Sequence, residues 1–215
     1  MTHPSKRLYL YPLWLRLWHW GNAMLFLLLL VSGVSLHFTD SQGALLPFRT
    51  ALVLHNSCGL LLALLYGLFV VVNWRSGNVR HYRPRYEHWR HWLAALQRQA
   101  LFYGVGIFRG EPHPFPATAE QKFNPLQQLT YLLVVYLGLP LLIISGIWYL
   151  FPDQAPDQVL GWGGVWPVAL FHYLVALFLT LFLLGHLYLA TAGPTLTGEL
   201  RKMITGWADE ESHES

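Results

Sequence analysis

Charge is what this 215-residue chain has least of: Asp, Glu, Lys and Arg together make up 12% of it, about half the share of a soluble domain. Charge-free runs occupy residues 51–74, 125–151 and 158–198, with a shorter one at 21–36. At about 20 residues per crossing these predict four transmembrane helices, over residues 13–37, 51–74, 125–151 and 166–192. The first run is not a removable signal peptide, because its apolar part is too long, aromatics precede it and no small-residue cleavage site follows. Cysteine is nearly absent too. Cys58 alone excludes an intrachain disulfide and an iron–sulfur cluster, and the lack of any C-x-x-C-H excludes covalent c-type haem. The spans also lack carboxylates, the usual partners in an intramembrane proton relay.

What charge there is lies on one side. Lys and Arg precede the first span (Lys6, Arg7, Arg16), fill residues 75–124 (Arg75, Arg80, Arg83, Arg85, Arg90, Arg98, Arg109, Lys122) and follow the fourth (Arg201, Lys202), leaving only Arg49 opposite. By the positive-inside rule both termini and the loop at 75–124 are cytoplasmic, in a multi-pass protein of the bacterial inner membrane. The pI of 9.1 and net charge of +3 are therefore topology signals and not a nucleic-acid footprint, and no nucleic-acid motif is present. The opposite side holds short connections around Asp40 and around Asp153 and Asp157.

The loop at 75–124 is long for a simple connection. From Pro84 onward Trp89, Trp92, Leu93, Leu96, Ala100 and Tyr103 recur at helical spacing, with Glu87, Arg90, His91, Gln97 and Arg98 on the other face. This predicts an amphipathic helix, lying in the lipid interface or packed as a plain surface helix on the bundle's end. Residues 1–203 form one membrane domain, and 204–215 are an acidic tail whose last stretch, from Asp209, reads as disordered. A faint internal echo, LLLVSGVSLHF in the first span and LLIISGIWYLF in the third, suggests two related helical hairpins.

Eleven histidines are the anomaly. Four of them, His19, His55, His172 and His186, sit at the ends of or within apolar helices, where ionisable side chains are costly and functional by default. Taken singly, each is equally explained as a hydrogen-bonding group between helices. Jointly they form a pattern. His172 and His186 are 14 residues apart, about 40° short of four whole turns and roughly 21 Å along the axis, so they face one way at two depths. The topology places His55 with His172 near the outer surface and His19 with His186 near the inner one. Two imidazoles at one depth suit a six-coordinate haem iron, and two such layers imply two stacked haems. Zinc or a di-iron site fits less well without nearby carboxylates.

A porphyrin also needs room. Gly33, fourteen residues past His19 and beside Ser32, leaves that face of the first helix nearly bare, and Gly59, Gly138, Ser145 and Gly146 offer similar relief. Close helix–helix packing through small residues explains these positions equally well. His37, about 27 Å beyond His19, falls past the outer layer and outside the ligand set.

The stretch RLWHWGNAMLFLLLLVSGV and the His172/His186 spacing resemble the dihaem cytochrome b subunits of respiratory formate dehydrogenases (the gamma subunit), nickel–iron hydrogenases and thiosulfate reductases. The likeness runs from about Leu8 to Met203. The string QKFNPLQQLTY resembles the loop of the formate dehydrogenase and thiosulfate reductase branch. The resemblance implies a cytochrome b561-like four-helix bundle with two stacked b-type haems, His19/His186 holding the inner and His55/His172 the outer. It implies a quinone site beside the inner haem at His186 and Asn124, with Gln127 a companion. The quinone would be menaquinone or ubiquinone. Asn124 and Pro125 equally fit a helix start, as cap and first residue. Arg16, Arg75, Arg201 and Arg49 fit either haem propionates or snorkelling anchors.

The function implied is a membrane-anchoring subunit that passes electrons between the quinone pool and a redox partner such as a molybdenum enzyme, a hydrogenase or a multihaem cytochrome, with membrane lipid around it. A free-standing cytochrome b561-type quinol oxidoreductase linked to superoxide is the alternative.

Overall fold

The computed structural model describes residues 7–39, 44–82, 88–116, 118, 122–154, 158–159, 161–191 and 195–209. Lys6, Asp40, Arg83, Pro84, Arg85, Glu87, Asp157 and residues 210–215, all used in the sequence reading, lie outside the described residues. A short strand β1 (Arg7–Tyr9) leads into α1 (Leu13–His37), followed by α2 (Phe48–Arg75), a 3₁₀ turn (Asn78–His81), α3 (Trp89–Gly104), α4 (Pro125–Tyr131) and α5 (Leu139–Leu150). Then come the two-residue strands β2 (Gln158–Val159) and β3 (Trp162–Gly163), α6 (Trp166–Thr191), α7 (Gly198–Thr205) and β4 (Trp207–Asp209).

Among the described residues four helices are long and apolar enough to cross a membrane: Leu13–His37, Phe48–Arg75, Pro125–Leu150 and Trp166–Thr191. The protein is an all-α membrane bundle with minor antiparallel β ribbons, β1 with β4 and β2 with β3. Along the spans Met24, Leu64 and Leu181 stand exposed, which in a protein of this composition means exposed to lipid.

The third span is not one uniform helix. Between α4 and α5 the chain takes a π-helical turn over Leu132–Gly138. Pro140 is the cause: in a regular helix its ring clashes with the carbonyl four residues back and it offers no N–H to that carbonyl, and widening the preceding turn relieves the conflict. Residue counting at 100° per residue therefore fails across this span.

The chain divides into two compact units. One comprises Met1–Arg16, Asn73–Tyr136 and His186–Ser215, and carries both chain ends. Its interior is unusually polar and aromatic: Asn73, Asn78, His81, Gln99, Asn124 and Gln128 are buried, and Tyr82 packs against Phe123, Tyr131 and Tyr136. The other comprises Leu17–Val72 and Leu137–Gly185, with Leu62, Phe69 and Leu179 at its centre and Trp18 stacked on Phe69 at 4.1 Å.

The amphipathic helix forms as α3. Trp92, Leu96 and Tyr103 of the expected stripe are half-buried beside the buried Ala95, Gln99 and Phe102, on the side that packs against α4, and Trp89, Leu93 and Ala100 are exposed. Gln99 pairs with His113 at 3.4 Å. One reading of this unit needs correction. The tail is ordered through Asp209, which pairs with Arg7 in the β1–β4 ribbon. Gly206 makes that turn: at φ 88° it closes α7, and a Cβ there would lie 2.6 Å from the Tyr11 carbonyl. Its own carbonyl accepts from the N–H groups of Leu10 and Tyr11, and the Arg16 guanidinium donates to the Ile204 carbonyl.

Candidate functional site

In the second unit two histidines from different hairpins meet. The His55 and His172 rings lie 6.4 Å apart between centres, at 74° to each other. Each is held the same way. Ser32 Oγ lies 3.0 Å from His55 Nδ1 and Ser145 Oγ lies 2.9 Å from His172 Nδ1. Both serines also donate back to their own helices, Ser32 to the Leu28 carbonyl and Ser145 to the Leu141 carbonyl. A hydroxyl whose hydrogen bonds the turn below presents its lone pairs to the ring, so each Nδ1 acts as the donor, and Nε2 carries the free lone pair.

The glycines beside the serines complete the arrangement. A Cβ on Gly33 would stand 3.3 Å from His55 Cε1, and one on Gly146 would stand 3.2 Å from His172 Cε1. The bare face at Gly33 is thus filled in the first instance by the His55 imidazole. Gly59 has nothing within 4 Å of a built Cβ, so it marks open space rather than a tight helix crossing. The echo between spans is a duplicated Ser-Gly seat for a histidine on the next helix.

The remaining histidines are placed differently. His19 lies on α1 in the second unit, edge-on to Trp20 at 5.1 Å. On the same stretch of helix the buried polar atoms Trp18 Nε1 and Asn22 Oδ1 meet no hydrogen-bond partner among the described residues. His186 lies on α6 within the first unit and is exposed. His37, excluded from the ligand set on distance, is stacked on Tyr173 at 4.9 Å.

In the first unit Asn124 and Gln127 form a reciprocal capping box. Asn124 Oδ1 accepts from the Gln127 N–H at 2.9 Å, and Gln127 Oε1 accepts from the Asn124 N–H at 3.0 Å. Asn124 Nδ2 donates to the Tyr103 hydroxyl at 3.0 Å. The acceptor atoms of both amides are thereby engaged, and what remains for a bound molecule is amide N–H and the Tyr103 hydroxyl hydrogen. Burial pushes the Tyr103 phenol above its ordinary value, against the smaller opposing pull of the hydrogen bond from Asn124. Around this box lies a chain of buried amides: Asn78 Nδ2 donates to Asn73 Oδ1, Asn73 Nδ2 to the Tyr136 hydroxyl, and Gln128 Nε2 to the His81 carbonyl.

Compared with known proteins, residues 10–206 match the family described as prokaryotic cytochrome b561. The chain belongs to that family. It is also 41% identical over 206 residues to YdhU of Escherichia coli (strain K12), a protein named as a cytochrome, covering 96% of this chain and 76% of the relative. A prokaryotic cytochrome b561 is a membrane protein of electron transfer built around b-type haem.

The second unit of this cytochrome b561 suits such a group. Two imidazoles on opposite sides of one metal, each with a nitrogen about 2 Å from it, have ring centres roughly 6 Å apart. The hydrogen bond at each Nδ1 is the outer support that fixes tautomer and ring orientation in metal-ligating histidines. The sequence reading had treated Ser32 and Ser145 only as small residues. The signal that marks them as ring supports was present in the repeated Ser-Gly pair. Tyr103 stands in the sequence only as part of the apolar stripe of α3, and Gln99 and Asn22 carry no signal there, since nothing in a single sequence separates a buried glutamine or asparagine from one that faces lipid or water.

Proposed function

We propose that this cytochrome b561 is the dihaem electron-transfer subunit of a respiratory complex, linking a partner oxidoreductase to the quinone pool. His55 and His172 hold the outer haem, and His19 and His186 the inner. The single observation carrying the reading is the facing pair His55/His172, each imidazole pinned at Nδ1 by a Ser-Gly seat from the preceding helix. When bound, the haems supply one-electron redox chemistry.

The protein's own residues do the rest. By engaging Nδ1, Ser32 and Ser145 would leave Nε2 of each outer histidine to hold the haem iron. Histidines on three transmembrane helices, α1, α2 and α6, place the two sites at different depths, and the roughly 21 Å of helical rise between His172 and His186 carries charge across much of the membrane. Menaquinone or ubiquinone meets the inner end beside His186, where the Gln127 amide nitrogen and the Tyr103 hydroxyl are the groups with hydrogen-bonding capacity left for a quinone carbonyl. With both termini in the cytoplasm, electrons entering from an outer partner and protons taken up at the inner end make quinone reduction charge-separating.

The test is a set of four variants. His55→Ala and His172→Ala each remove the same spectral component, and His19→Ala and His186→Ala remove the other, in preparations that otherwise hold two acid–acetone-extractable haems per chain. A wild-type ratio of one haem, or loss of a single component from both His19→Ala and His55→Ala, overturns the assignment.

A further inference from the structure

The first unit holds a recess of about 260 Å³, lined by Pro12, Trp14, Ser76, Asn78, Arg80, His81 and Lys122 among others. Arg80 and Lys122 reach it from two segments far apart in sequence, one following α2 and one preceding α4. Gly77, at φ 67°, reverses the chain directly after α2 and carries Arg80 and His81 back to the recess. Among the described residues no carboxylate lines it, and neither Arg80 nor Lys122 makes an ion pair.

Two cations at one partly enclosed site oppose each other. The Lys122 ammonium is accordingly held below its ordinary value, first by burial and then by the Arg80 charge. At the wall the buried Asn78 amide donates to Asn73 Oδ1 at 2.8 Å and the Ser76 hydroxyl donates to the Asn73 carbonyl at 3.3 Å, so the two cations are the donors offered to a ligand. An anion entering between them would relieve their repulsion through the charge-assisted hydrogen bonds that phosphate oxygens favour.

The recess also sits at a definite level of the chain. Trp14 is the second residue of α1, Ser76 follows the last residue of α2, and Lys122 is three residues before α4. The walls therefore come from the ends of membrane spans and from the turn that follows α2, the level at which lipid phosphates lie and tryptophan and basic side chains collect. We propose that this recess is a binding site for a phosphate-bearing anion, held between Arg80 and Lys122, and that its source is the headgroup of an anionic phospholipid.

The proposal is independent of the haem and quinone assignments. Its test uses the full chain purified in neutral detergent, with thermal stability read against added phosphatidylglycerol, phosphatidylcholine and inorganic phosphate. Phosphatidylglycerol stabilises the wild type and phosphatidylcholine does not. The double variant Arg80→Gln/Lys122→Gln responds with roughly thirtyfold weaker apparent affinity, the loss expected when two cations are removed at a membrane surface. Arg80→Lys/Lys122→Arg keeps the response, as does Arg90→Gln/Arg98→Gln, which removes equal charge from α3. Stabilisation by inorganic phosphate with the same dependence on both residues makes free phosphate the source and upholds the site. No stabilisation of the wild type by either phosphate, or an equal loss in the α3 control, overturns it. So does depletion of a haem component in the double variant with lipid response intact, since the two cations would then serve haem carboxylates.

Discussion

At the scale of single residues, the two serines and two glycines around His55 and His172 make the sharpest forecast. Loss of an outer support of this kind lowers metal affinity by about tenfold to a hundredfold, so Ser32→Ala and Ser145→Ala should each release the outer haem more readily during titration with apo-myoglobin while leaving the inner component unchanged. Gly146→Ala should do more, because its new Cβ stands 3.2 Å from His172 Cε1 and forces the ring itself to move. Gly59→Ala, with nothing within 4 Å, should leave both components at wild-type level. Equal haem retention in the Gly146 and Gly59 variants would mean that the seat does not determine ring position.

At the scale of elements, α4 begins on a capping box that holds its own amides together, so Asn124→Ala removes a helix cap and leaves the Tyr103 hydroxyl without the amide that now donates to it. A lowered melting temperature corresponding to about 1 kcal/mol is expected together with weaker binding of a quinone analogue. A fall in stability with unchanged analogue binding would leave Asn124 as a cap alone. The elements also show what the sequence carried. Apolar runs mark the four spans because lipid demands apolar side chains on every outward face, and Asn124-Pro125 marks a helix start because both residues suit one. The stripe of α3 was legible, but which part of it packs on protein was not, since Trp89 and Leu93 suit lipid contact as well as packing, and the pairing of Gln99 with His113 and of Asn124 with Tyr103 shows which side is in. The π turn over Leu132–Gly138 was legible in principle from Pro140, but periodicity counted at a constant angle passes over it. His55 and His172 could be placed at one depth by topology, whereas their 6.4 Å separation and shared serine support required coordinates.

At the scale of the whole molecule, orientation and charge are the testable quantities. A fluorescent protein fused after Ser215 should fold and fluoresce, whereas alkaline phosphatase at the same point should be inactive, with the reverse for fusions in the connection between α5 and α6; the opposite pattern would invert every statement about sidedness. The pH profile follows from the first unit. Because the folded state binds the Lys122 proton less well than the unfolded chain does, stability rises with pH from the depressed value towards the unfolded value of about 10.4, and at neutral pH the penalty is present in full. Burial acts oppositely on the tyrosines: Tyr82 and Tyr103 are both raised, so the folded state keeps their protons longer and stability falls above the unfolded value of about 10. Lys122→Gln should therefore melt higher than wild type at neutral pH in phosphate-free neutral detergent, lose the alkaline rise and keep the alkaline fall. A lower melting point for this variant under those conditions would show that the ammonium has a partner in the folded protein.

The ribbon that joins Arg7–Tyr9 to Trp207–Asp209 has a consequence in time. Its first strand leaves the ribosome about 200 residues ahead of its second, a wait on the order of ten to forty seconds at ordinary synthesis rates, during which all four spans enter the bilayer. Until Gly206 arrives, the backbone N–H groups of Leu10 and Tyr11 lack the carbonyl they bond in the finished protein. The clasp can close only on a chain whose spans have crossed an even number of times and returned both ends to one face, so its formation registers that insertion is complete. A chain stalled or cut before residue 206 keeps its first strand unpaired, an exposed edge that quality-control proteases and chaperones can distinguish from the finished protein.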